Sequence, residues 1–333
     1  MEFKKVQVTI VKRKPSKQYF SIERLFSEVI KVMPNDINIT QLELSHSGTG
    51  FASIILNILK ATFRVKGICH VSGDVHYALI LRCKKRNLVT IHDLISIHRL
   101  SGLKRFMFKL FWYRIPIWRA HHVTVISDAT KKELIKHIGV DPSKITVIPN
   151  CISAEFTSIS KKFNASNPRI LCIGTSPNKN LENLISAAAL LDCNLRIIGD
   201  INLAQQDLLN YHRMSFSSAS RLTGEQIVEE YRQADIVSFV SLYEGFGLPI
   251  LEAQASGRAL ITSGLSPMSD VAGKDACLVD PSDIASIHEG LKKIITDVEY
   301  RKRLIRAGLK NSENFSSAEV SKLYADVYRK MSE

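Results

Sequence analysis

Two series of strand-like and helix-like segments alternate along the 333-residue chain, and an irregular stretch separates them. Apolar β-branched runs predict strands near 6–11, 38–44, 67–71, 87–91, 121–127 and 144–148, then near 169–173, 194–199, 235–240, 259–262 and 276–279. Apolar residues at helical spacing predict helices near 21–33, 51–63, 76–84, 101–114 and 128–138, then near 181–191, 224–233, 248–256 and 284–296. Because this alternation is typical of parallel sheets covered by helices, the sequence predicts an α/β protein with two doubly wound domains.

The segment between Pro149 and Pro168 is rich in Ser, Asn and Lys and has little periodicity, so it is predicted to link the two domains. We expect an N-terminal domain over 1–155 and a second domain over 156–312, with two further helices between 300 and 331.

Cysteine placement and hydropathy predict a cytoplasmic protein. The six cysteines are scattered without Cys-x-x-Cys pairs, which indicates reduced, packed thiols rather than disulfides or a zinc site. No window approaches the ~18 consecutive apolar residues that span a bilayer. The N-terminus is interpreted as a first strand and not as a signal peptide.

The positive charge is concentrated in the first half of the chain. Residues 1–150 contain 25 Lys+Arg and 10 Asp+Glu, a net charge of +15, whereas the remainder contains 20 and 22, a net charge of −2. This asymmetry predicts an anionic partner for the first half, either nucleic acid or an acidic membrane surface. The alternative is a solvated basic surface that serves solubility.

The segment 100–120 combines much of that charge with aromatic residues. Its members are Lys104, Arg105, Phe106, Phe108, Lys109, Phe111, Trp112, Tyr113, Arg114, Trp118 and Arg119. Basic residues beside aromatic ones suit a helix in the headgroup region of an anionic membrane. The alternative is that the aromatic residues pack into the first domain. Pro116 is expected to limit the helix.

Two glutamates eight positions apart, Glu244 and Glu252, enclose the run Gly-Phe-Gly-Leu-Pro-Ile-Leu between a predicted strand and a predicted helix. Gly245 and Gly247 allow close approach of the backbone to a ligand. The helix N-terminus offers unpaired amides and a partial positive charge, which suit a phosphate. Carboxylates accept hydrogen bonds from hydroxyls. The run therefore predicts a sugar-nucleotide site, and the alternative is an ordinary turn with solvated glutamates.

A second motif, from Cys172 to Asn180, lies where the first strand of the second domain gives way to a helix. Ligands of open α/β sheets bind at the carboxyl ends of strands. Lys179, just before a helix N-terminus, adds a full charge to the partial charge of the helix. The motif predicts a diphosphate site, with a solvated surface lysine as the alternative.

In the first domain, polar residues follow two predicted strands. His92 and Asp93 end one strand, and Asp74 and His76 follow the preceding one. His92 is expected to belong to an active site rather than to packing. Asp74 either lines an acceptor site or caps a helix.

No Asp-x-Asp triplet occurs, and the histidines lack zinc-like spacing with carboxylates. We therefore expect no metal and no other cofactor, with a lysine and a helix terminus neutralising the charge of a diphosphate instead.

The run from Glu244 to Glu252 resembles the paired-glutamate motif of the retaining glycosyltransferases of family 4, which have the GT-B fold. The loop ending at Lys179 resembles the phosphate-binding loop of that family, and the strand end at His92 resembles its His-Asp loop. Many members have an arginine where this chain has Thr175. The resemblance implies two Rossmann-like domains that face a central cleft, with a final helix, 313–333, crossing back to the N-terminal domain.

The resemblance also implies roles for individual residues. The catalytic set is Glu244, Lys179 and His92. The donor-binding set is Glu252, Gly245, Phe246, Gly247, Leu248, Gly174 and Thr175, and the acceptor-side set is Asp93, Asp74 and His76.

The activity implied is metal-independent, retaining transfer of a sugar from a nucleoside-diphosphate donor to a lipid-linked oligosaccharide in bacterial surface-polysaccharide assembly, of O-antigen or capsule type. GDP-mannose is slightly favoured over a UDP-sugar. The enzyme would work in the cytoplasm, with peripheral contact to the anionic inner face of the cell membrane and no nucleic acid partner. Two alternatives stay open, a catalytically silent sugar-nucleotide-binding subunit and a basic nucleic-acid-binding protein.

Overall fold

The structure is a computed structural model that describes residues 5–13, 21–44 and 50–333. The chain divides into two compact units. The first unit comprises the chain up to Ser153 together with Ser317–Glu333, and the second comprises Ala154–Ser316.

The first unit is built on a parallel sheet. Its strands are β1 (Val6–Lys12), β2 (Ile37–Glu43), β3 (Ile68–Val71), β4 (Asn87–Ile91), β5 (His122–Val125) and β6 (Ile145–Val147). They lie in the order β2-β1-β3-β4-β5-β6, and each neighbouring pair is parallel. The strand order reverses between β1 and β3, which is the point where ligands of doubly wound sheets bind.

The helices of this part of the chain are α1 (Ser21–Lys31), α2 (Phe51–Arg64), α3 (Ile95–Arg99), α4 (Gly102–Phe108), α5 (Ile115–Arg119) and α6 (Asp128–Ile138). Helix α2 and a short 3₁₀ helix, His76–Leu79, cover one face of the sheet, where Ile58 and Tyr77 join the same core as Val71 and Ile91. Helix α6 shows how the local sequence sets the ends of a helix. The Ser127 side chain accepts a hydrogen bond from the amide of Thr130, and Gly139 ends the helix at a left-handed φ of 81°.

Two predictions for the first unit were wrong. The helix predicted over 76–84 is only the 3₁₀ helix, and beyond it the Arg82 guanidinium donates to the carbonyls of Ala61 and Thr62 in the last turn of α2. Pro116 does not end the helix predicted over 101–114. A π-helical stretch, Lys109–Arg114, joins α4 to α5, so the helical backbone continues past residue 114 and through the proline.

The second unit repeats the plan with another parallel sheet. Its strands are β7 (Arg169–Ile173), β8 (Asn194–Ile198), β9 (Ser215–Ala219), β10 (Ile236–Phe239), β11 (Ala259–Ser263) and β12 (Cys277–Val279). Their order is β12-β11-β10-β7-β8-β9, so the reversal lies between β7 and β10. Strand β9 was not predicted, because its sequence, Ser-Phe-Ser-Ser-Ala, contains no apolar run.

The helices of the second unit are α7 (Leu181–Ala188), α8 (Leu203–Tyr211), α9 (Gly224–Gln233), α10 (Leu248–Ala255), α11 (Met268–Ala272), α12 (Ile284–Thr296) and α13 (Val298–Glu313). The last helix, α14 (Ser317–Ser332), belongs to the first unit, where Tyr324 and Tyr328 pack in one core with Phe26 of α1 and Val8 of β1. Helix α8 was not predicted.

In the described ranges, no helix combines the length and the apolar character needed to cross a bilayer. All six cysteines are unpaired, and Cys83 is exposed while the others are buried.

Candidate active site

The reversal of strand order in the second unit brings together the two loops that carry the predicted donor motifs. Strands β7 and β10 are parallel neighbours, with Cys172 opposite Ser238, so the loops that follow them leave the same edge of the sheet. The amide of Leu242 in the second loop donates to the carbonyl of Asn178 in the first, at 2.8 Å. The carboxyl ends of adjacent strands at such a reversal form the binding crevice of this sheet type.

An ion pair joins the two motifs at this edge. The Lys179 ammonium lies 2.7 Å from Oε1 of Glu244, and 21% and 15% of the two side chains are exposed. The pair is therefore sheltered but still open to solvent. The Lys179 ammonium also lies 4.7 Å from the centre of the Phe239 ring, an aromatic face that favours a cation.

Gly174 makes room for the lysine. Its φ is 91°, and a Cβ at this position would lie 2.9 Å from Cγ of Lys179 and 3.0 Å from its Cε. The aliphatic part of Lys179 therefore crosses directly over the glycine. A side chain at position 174 would displace the ammonium from Glu244. Gly174, which was predicted to bind the donor, therefore leaves the space that Lys179 needs.

Two asparagines connect the loops, although only the lysine between them was predicted to have a role. Asn178 Nδ2 donates to the carbonyl of Tyr243 at 3.1 Å and to Oε1 of Glu244 at 3.3 Å. Asn180, buried and at φ 59°, donates to the carbonyls of Val240 and Pro281. A signal was present in the sequence, because Asn is one of the few residues that tolerate left-handed backbone.

The paired-glutamate loop enters α10 through Gly247, whose φ is 108°. No side chain caps this helix, Pro249 lacks an amide hydrogen, and the amide of Ile250 donates to the carbonyl of Gly247. Gly247 and Leu248 are left to offer amides to a ligand at this end. Phe246 is buried and packs edge-on against Phe315, so it can reach a ligand only through its backbone. Gly245 and Leu248 are half-buried on either side of this turn.

Glu252 lies in the second turn of α10 and has a partner that was not predicted. The hydroxyl of Tyr231, at the end of α9, donates to Oε2 of Glu252 at 2.6 Å. Tyr231 is fully buried, and burial next to this carboxylate raises its pKa well above the ordinary value of 10, so the hydroxyl keeps its proton. The sequence offered no signal for this contact, because the two residues are on different helices.

Thr175 donates its hydroxyl to the carbonyl of Asp200 at 2.7 Å. Its methyl group would lie 2.8 Å from a Cβ on Gly199. Thr175 therefore fixes the loop after β8 and brings no positive charge.

His92 lies in the first unit, directly after β4, and is 7% exposed. Its Nε2–H donates to the carbonyl of Ser72 at 2.9 Å, and burial lowers its pKa from 6.5. The ring is therefore neutral at pH 7, with the lone pair on Nδ1. Such a nitrogen accepts a hydrogen bond from a hydroxyl but does not neutralise a phosphate.

The predicted acceptor-side residues have different surroundings within the first unit. Asp93 Oδ1 accepts from the amide of Ile95 at the start of α3. Asp74 is exposed and lies 3.3 Å from the Arg13 guanidinium, and its side chain does not cap the 3₁₀ helix that follows. His76 is buried in that helix, where Nδ1–H donates to the carbonyl of Trp112 at 3.1 Å and burial lowers its pKa to about 4. Their acceptor role stays a prediction.

Across the described ranges, no group of three or more His, Cys, Asp and Glu side chains is arranged to hold a metal ion. Metal independence stays a prediction.

Together these contacts join a cation and a carboxylate at one edge of the second sheet, next to an uncapped helix that carries the second carboxylate. The cation and the amides attract a diphosphate, and the carboxylates accept hydrogen bonds from sugar and ribose hydroxyls. This combination suits a nucleoside-diphosphate sugar.

Comparisons with known proteins show which protein families and which fold the chain resembles. Residues 6–156 match the family model described as Glycosyltransferase Family 4, and residues 154–311 match the one described as Glycosyl transferases group 1. A glycosyltransferase from Rickettsia africae has a similar structure, with a TM-score of 0.77, 17% identity and 99% of each chain covered. An Anabaena protein, HepE, solved with UDP and glucose, has a TM-score of 0.74 at 14% identity, over 98% of this chain and 100% of that one.

The curated relatives include mannosyltransferases. WbdA of Escherichia coli, a serotype-specific mannosyltransferase, is 25% identical over 239 residues, which cover 64% of this chain. RfbU of Salmonella typhimurium, an O-antigen chain mannosyltransferase, is 26% identical over 227 residues, or 63% of this chain. The match spans only 29% of WbdA and 61% of RfbU.

The first family model covers most of the first unit and the second covers most of the second unit, and the solved structures share the architecture. The predicted GT-B fold class is therefore confirmed, and the chain belongs to the glycosyltransferases, with a Family 4 domain followed by a group 1 domain.

Proposed function

We propose that the protein transfers a sugar, with retention of anomeric configuration, from a nucleoside-diphosphate donor to a lipid-linked saccharide in surface-polysaccharide assembly. The observation that carries the proposal is the contact between Lys179 and Glu244 at the strand reversal of the second unit, beside the uncapped start of α10. The names of WbdA and RfbU support mannose as the sugar and a polysaccharide as the product, with GDP-mannose as the favoured donor.

Each residue of the site has a task in this proposal. Lys179 stabilises the departing diphosphate, and the amides of Phe246, Gly247 and Leu248 hold its oxygens. Glu244 positions the donor sugar, and Glu252 accepts hydrogen bonds from the ribose hydroxyls. His92 accepts a hydrogen bond from a sugar hydroxyl through Nδ1. Asp93, Asp74 and His76 line the acceptor side.

The proposed chemistry is a front-face displacement. The bond between the anomeric carbon and the phosphate oxygen breaks, and the acceptor oxygen bonds to that carbon on the same face. The departing phosphate takes the proton of the acceptor hydroxyl. No metal is required, because Lys179 and the helix terminus balance the charge that develops on the leaving group.

The test is transfer from GDP-mannose and UDP-sugars to a lipid-linked acceptor extract, with the product anomer assigned by NMR. We expect an α-linked product from an α-linked donor, and Glu244→Gln should lower kcat by about two orders of magnitude or more with the fold intact. Product of inverted configuration, or near-normal transfer by that variant, contradicts the mechanism. Tight nucleotide binding without transfer to any acceptor would identify a silent binding subunit instead.

A further inference from the structure

A buried glutamine on α10 is hydrogen-bonded to an asparagine on α13. Gln254 lies two residues after Glu252 on α10 and is buried. The Asn311 side chain donates to Oε1 of Gln254 at 2.8 Å, and it also donates to the carbonyl of Val271 in α11 at 2.8 Å. Gln254 in turn donates to the carbonyl of Ala272 at 2.7 Å. The two amide side chains therefore connect α10 and α11 to α13.

Two glycines leave room for these amide side chains. Gly308 is buried on α13, and a Cβ at this position would lie 2.9 Å from Cγ of Gln254. Gly273 ends α11 at a positive φ of 83°, and a Cβ there would lie 3.0 Å from Oδ1 of Asn311. A larger residue at either position would displace one of the two amides, so the close approach of α10 and α13 depends on both glycines.

An aromatic contact joins the other end of α10 to the same part of the chain. Phe246 is buried just before α10 begins, and its ring meets the ring of Phe315 edge-on, with 6.1 Å between the ring centres. Phe315 follows the end of α13 by two residues and lies four residues beyond Asn311. The carboxyl end of α13 therefore contacts α10 near both of its ends. Two points of attachment fix the tilt of a helix as well as its position.

The bond between Gln254 and Asn311 sets geometry more than stability. Replacing both partners of a buried hydrogen bond by apolar side chains of similar shape is often nearly neutral for the free energy of unfolding. Apolar side chains pack almost equally well in several neighbouring arrangements, whereas two hydrogen-bonded amides specify one. A buried amide pair between two helices thus selects a single placement of one helix on the other.

The placement of α10 matters because the helix carries groups of the donor site. It has only eight residues and is about 12 Å long. A rotation of about 5° around its far end would move the amides of Gly247 and Leu248 by about 1 Å. A misplacement of about 1 Å can cost about 10²-fold in rate. Glu252 is on the same helix, so the groups assigned to the ribose and to the diphosphate would move together.

We propose that Asn311 and Phe315 are positioning residues of the donor site. They act through the side chains that they touch, and they hold α10 where Glu252 meets the ribose and the first amides of the helix meet the diphosphate. This inference rests on the proposed function, because it concerns how the nucleoside-diphosphate donor is held. Lys179 is on the loop after β7 and not on α10, so its contribution to binding does not depend on α13.

Nucleotide affinities of single and combined variants test the proposal. The full chain is titrated calorimetrically with GDP, UDP and ADP. Asn311→Leu and Phe315→Ala should each weaken binding of the nucleotide about tenfold. In the Asn311→Leu background, Glu252→Gln should weaken binding by less than about twofold, against about tenfold in the wild type, because a displaced carboxylate has already lost its contact. Lys179→Gln should weaken binding about tenfold in both backgrounds.

Matched controls separate positioning from a general loss of stability. Asn314→Leu replaces an exposed asparagine next to the end of α13, and it should bind nucleotide like the wild type. Leu291→Ala opens a cavity in the core beneath α12 and should lower the melting temperature. Glu252→Gln should still weaken binding about tenfold in the Leu291→Ala background. If Asn311 served stability alone, its variant would behave in the same way.

Hydrogen exchange tests the attachment of α10 without any nucleotide. Asn311→Leu should speed exchange of the amides in Leu248–Ala255 more than in Leu181–Ala188 of α7. The proposal is overturned if exchange in α10 is unchanged, or if Glu252→Gln keeps its full effect in the Asn311→Leu background. When the wild type binds a nucleotide, either result defeats this inference alone. When the wild type binds none of the three nucleotides, the proposed function fails as well.

Discussion

Lys179 and Glu244 come from two motifs 65 residues apart, yet their charged atoms lie 2.7 Å apart and form one unit. The sequence predicted both residues from their positions at strand ends, because parallel strands direct their carboxyl ends to one edge. It did not predict that they touch. Nor did it predict Tyr231 or Asn178, whose contacts depend on the packing of distant segments.

The first prediction concerns this ion pair. Lys179→Gln and Glu244→Gln should each lower kcat by about two orders of magnitude or more, and the double variant should be much less impaired than the product of the two effects. The reason is that either single change already breaks the shared contact. Steady-state transfer rates of the three variants measure the coupling.

An exposed ion pair serves as the control. Lys302 and Glu299 lie 2.8 Å apart on the surface of α13, and changing either to Gln should leave kcat unaltered. Strictly multiplicative effects of the Lys179 and Glu244 changes would show that the two side chains act independently.

The second prediction concerns Tyr231. Its hydroxyl holds one oxygen of Glu252, so Tyr231→Phe should weaken binding of the nucleoside diphosphate by about tenfold, which is the typical value of a hydrogen bond to a charged group. The effect on kcat at saturating donor should be small, because Glu252 is assigned to the ribose and not to the reacting atoms. Calorimetric titration with the nucleotide measures the change.

Tyr324→Phe removes a hydroxyl that is equally buried but lies in the first unit, and it should leave nucleotide affinity unchanged. If Tyr231→Phe binds the nucleotide as tightly as the wild type, Tyr231 does not position Glu252.

At the scale of elements, regular hydrophobic periodicity predicted the bounds of several helices, whereas elements that depart from it were missed or cut short. Helices α6, α9 and α12 have the predicted bounds, since each has an amphipathic pattern and a side-chain cap. Strand β9 was missed because it is polar, and the helical run through Pro116 was cut short because π-helical bonding cannot be read from spacing. The two predicted donor motifs still lie on loops after strands, because their position depends on strand order and not on helix length.

The third prediction concerns the loop after β7. Gly174→Ala should lower kcat by at least about tenfold, because a methyl group there contacts the Lys179 side chain at 2.9 Å in a backbone conformation that already favours glycine. Gly139→Ala separates the strain of the backbone from the contact with a neighbouring side chain, since Gly139 has a φ of 81° but nothing within 4 Å of the added methyl.

Gly139→Ala should therefore lower the melting temperature without changing kcat. Equal and normal kcat for both variants would show that Lys179 does not depend on the space above Gly174.

At the scale of the whole molecule, buried histidines make the stability of the first unit sensitive to acid. The first unit buries His70, His76 and His92 as neutral rings, and burial lowers the pKa of His70 to about 3 and that of His76 to about 4. The unfolded chain takes up these protons near pH 6.5, before the folded chain does. Stability is therefore complete above pH 6.5 and is lost as the pH falls toward 4.

The fourth prediction follows from these histidines. Between pH 7 and pH 5 the free energy of unfolding of the first unit should fall by about 2 kcal/mol for each of His70 and His76, and the lowered pKa of His92 adds to the fall in the same direction. Both tryptophans, Trp112 and Trp118, lie in the first unit, so tryptophan fluorescence during denaturant unfolding follows that unit. His76→Asn keeps a donor for the carbonyl of Trp112 but cannot take up a proton.

This variant should therefore lose less stability than the wild type over the same pH range. An unfolding free energy that is constant from pH 7 to pH 5, or an identical fall in His76→Asn, would contradict the assignment.

The central claim is that the edge of the second sheet between β7 and β10 binds a nucleoside-diphosphate sugar. Calorimetric titration of the full chain with GDP, UDP and ADP tests it most directly. We predict that one of the three, with GDP favoured, binds in a one-to-one ratio, and that Lys179→Gln and Glu252→Gln each weaken its binding by about tenfold or more, while Glu299→Gln does not. Binding of none of the three nucleotides, or binding that both site variants leave unchanged, would contradict the claim.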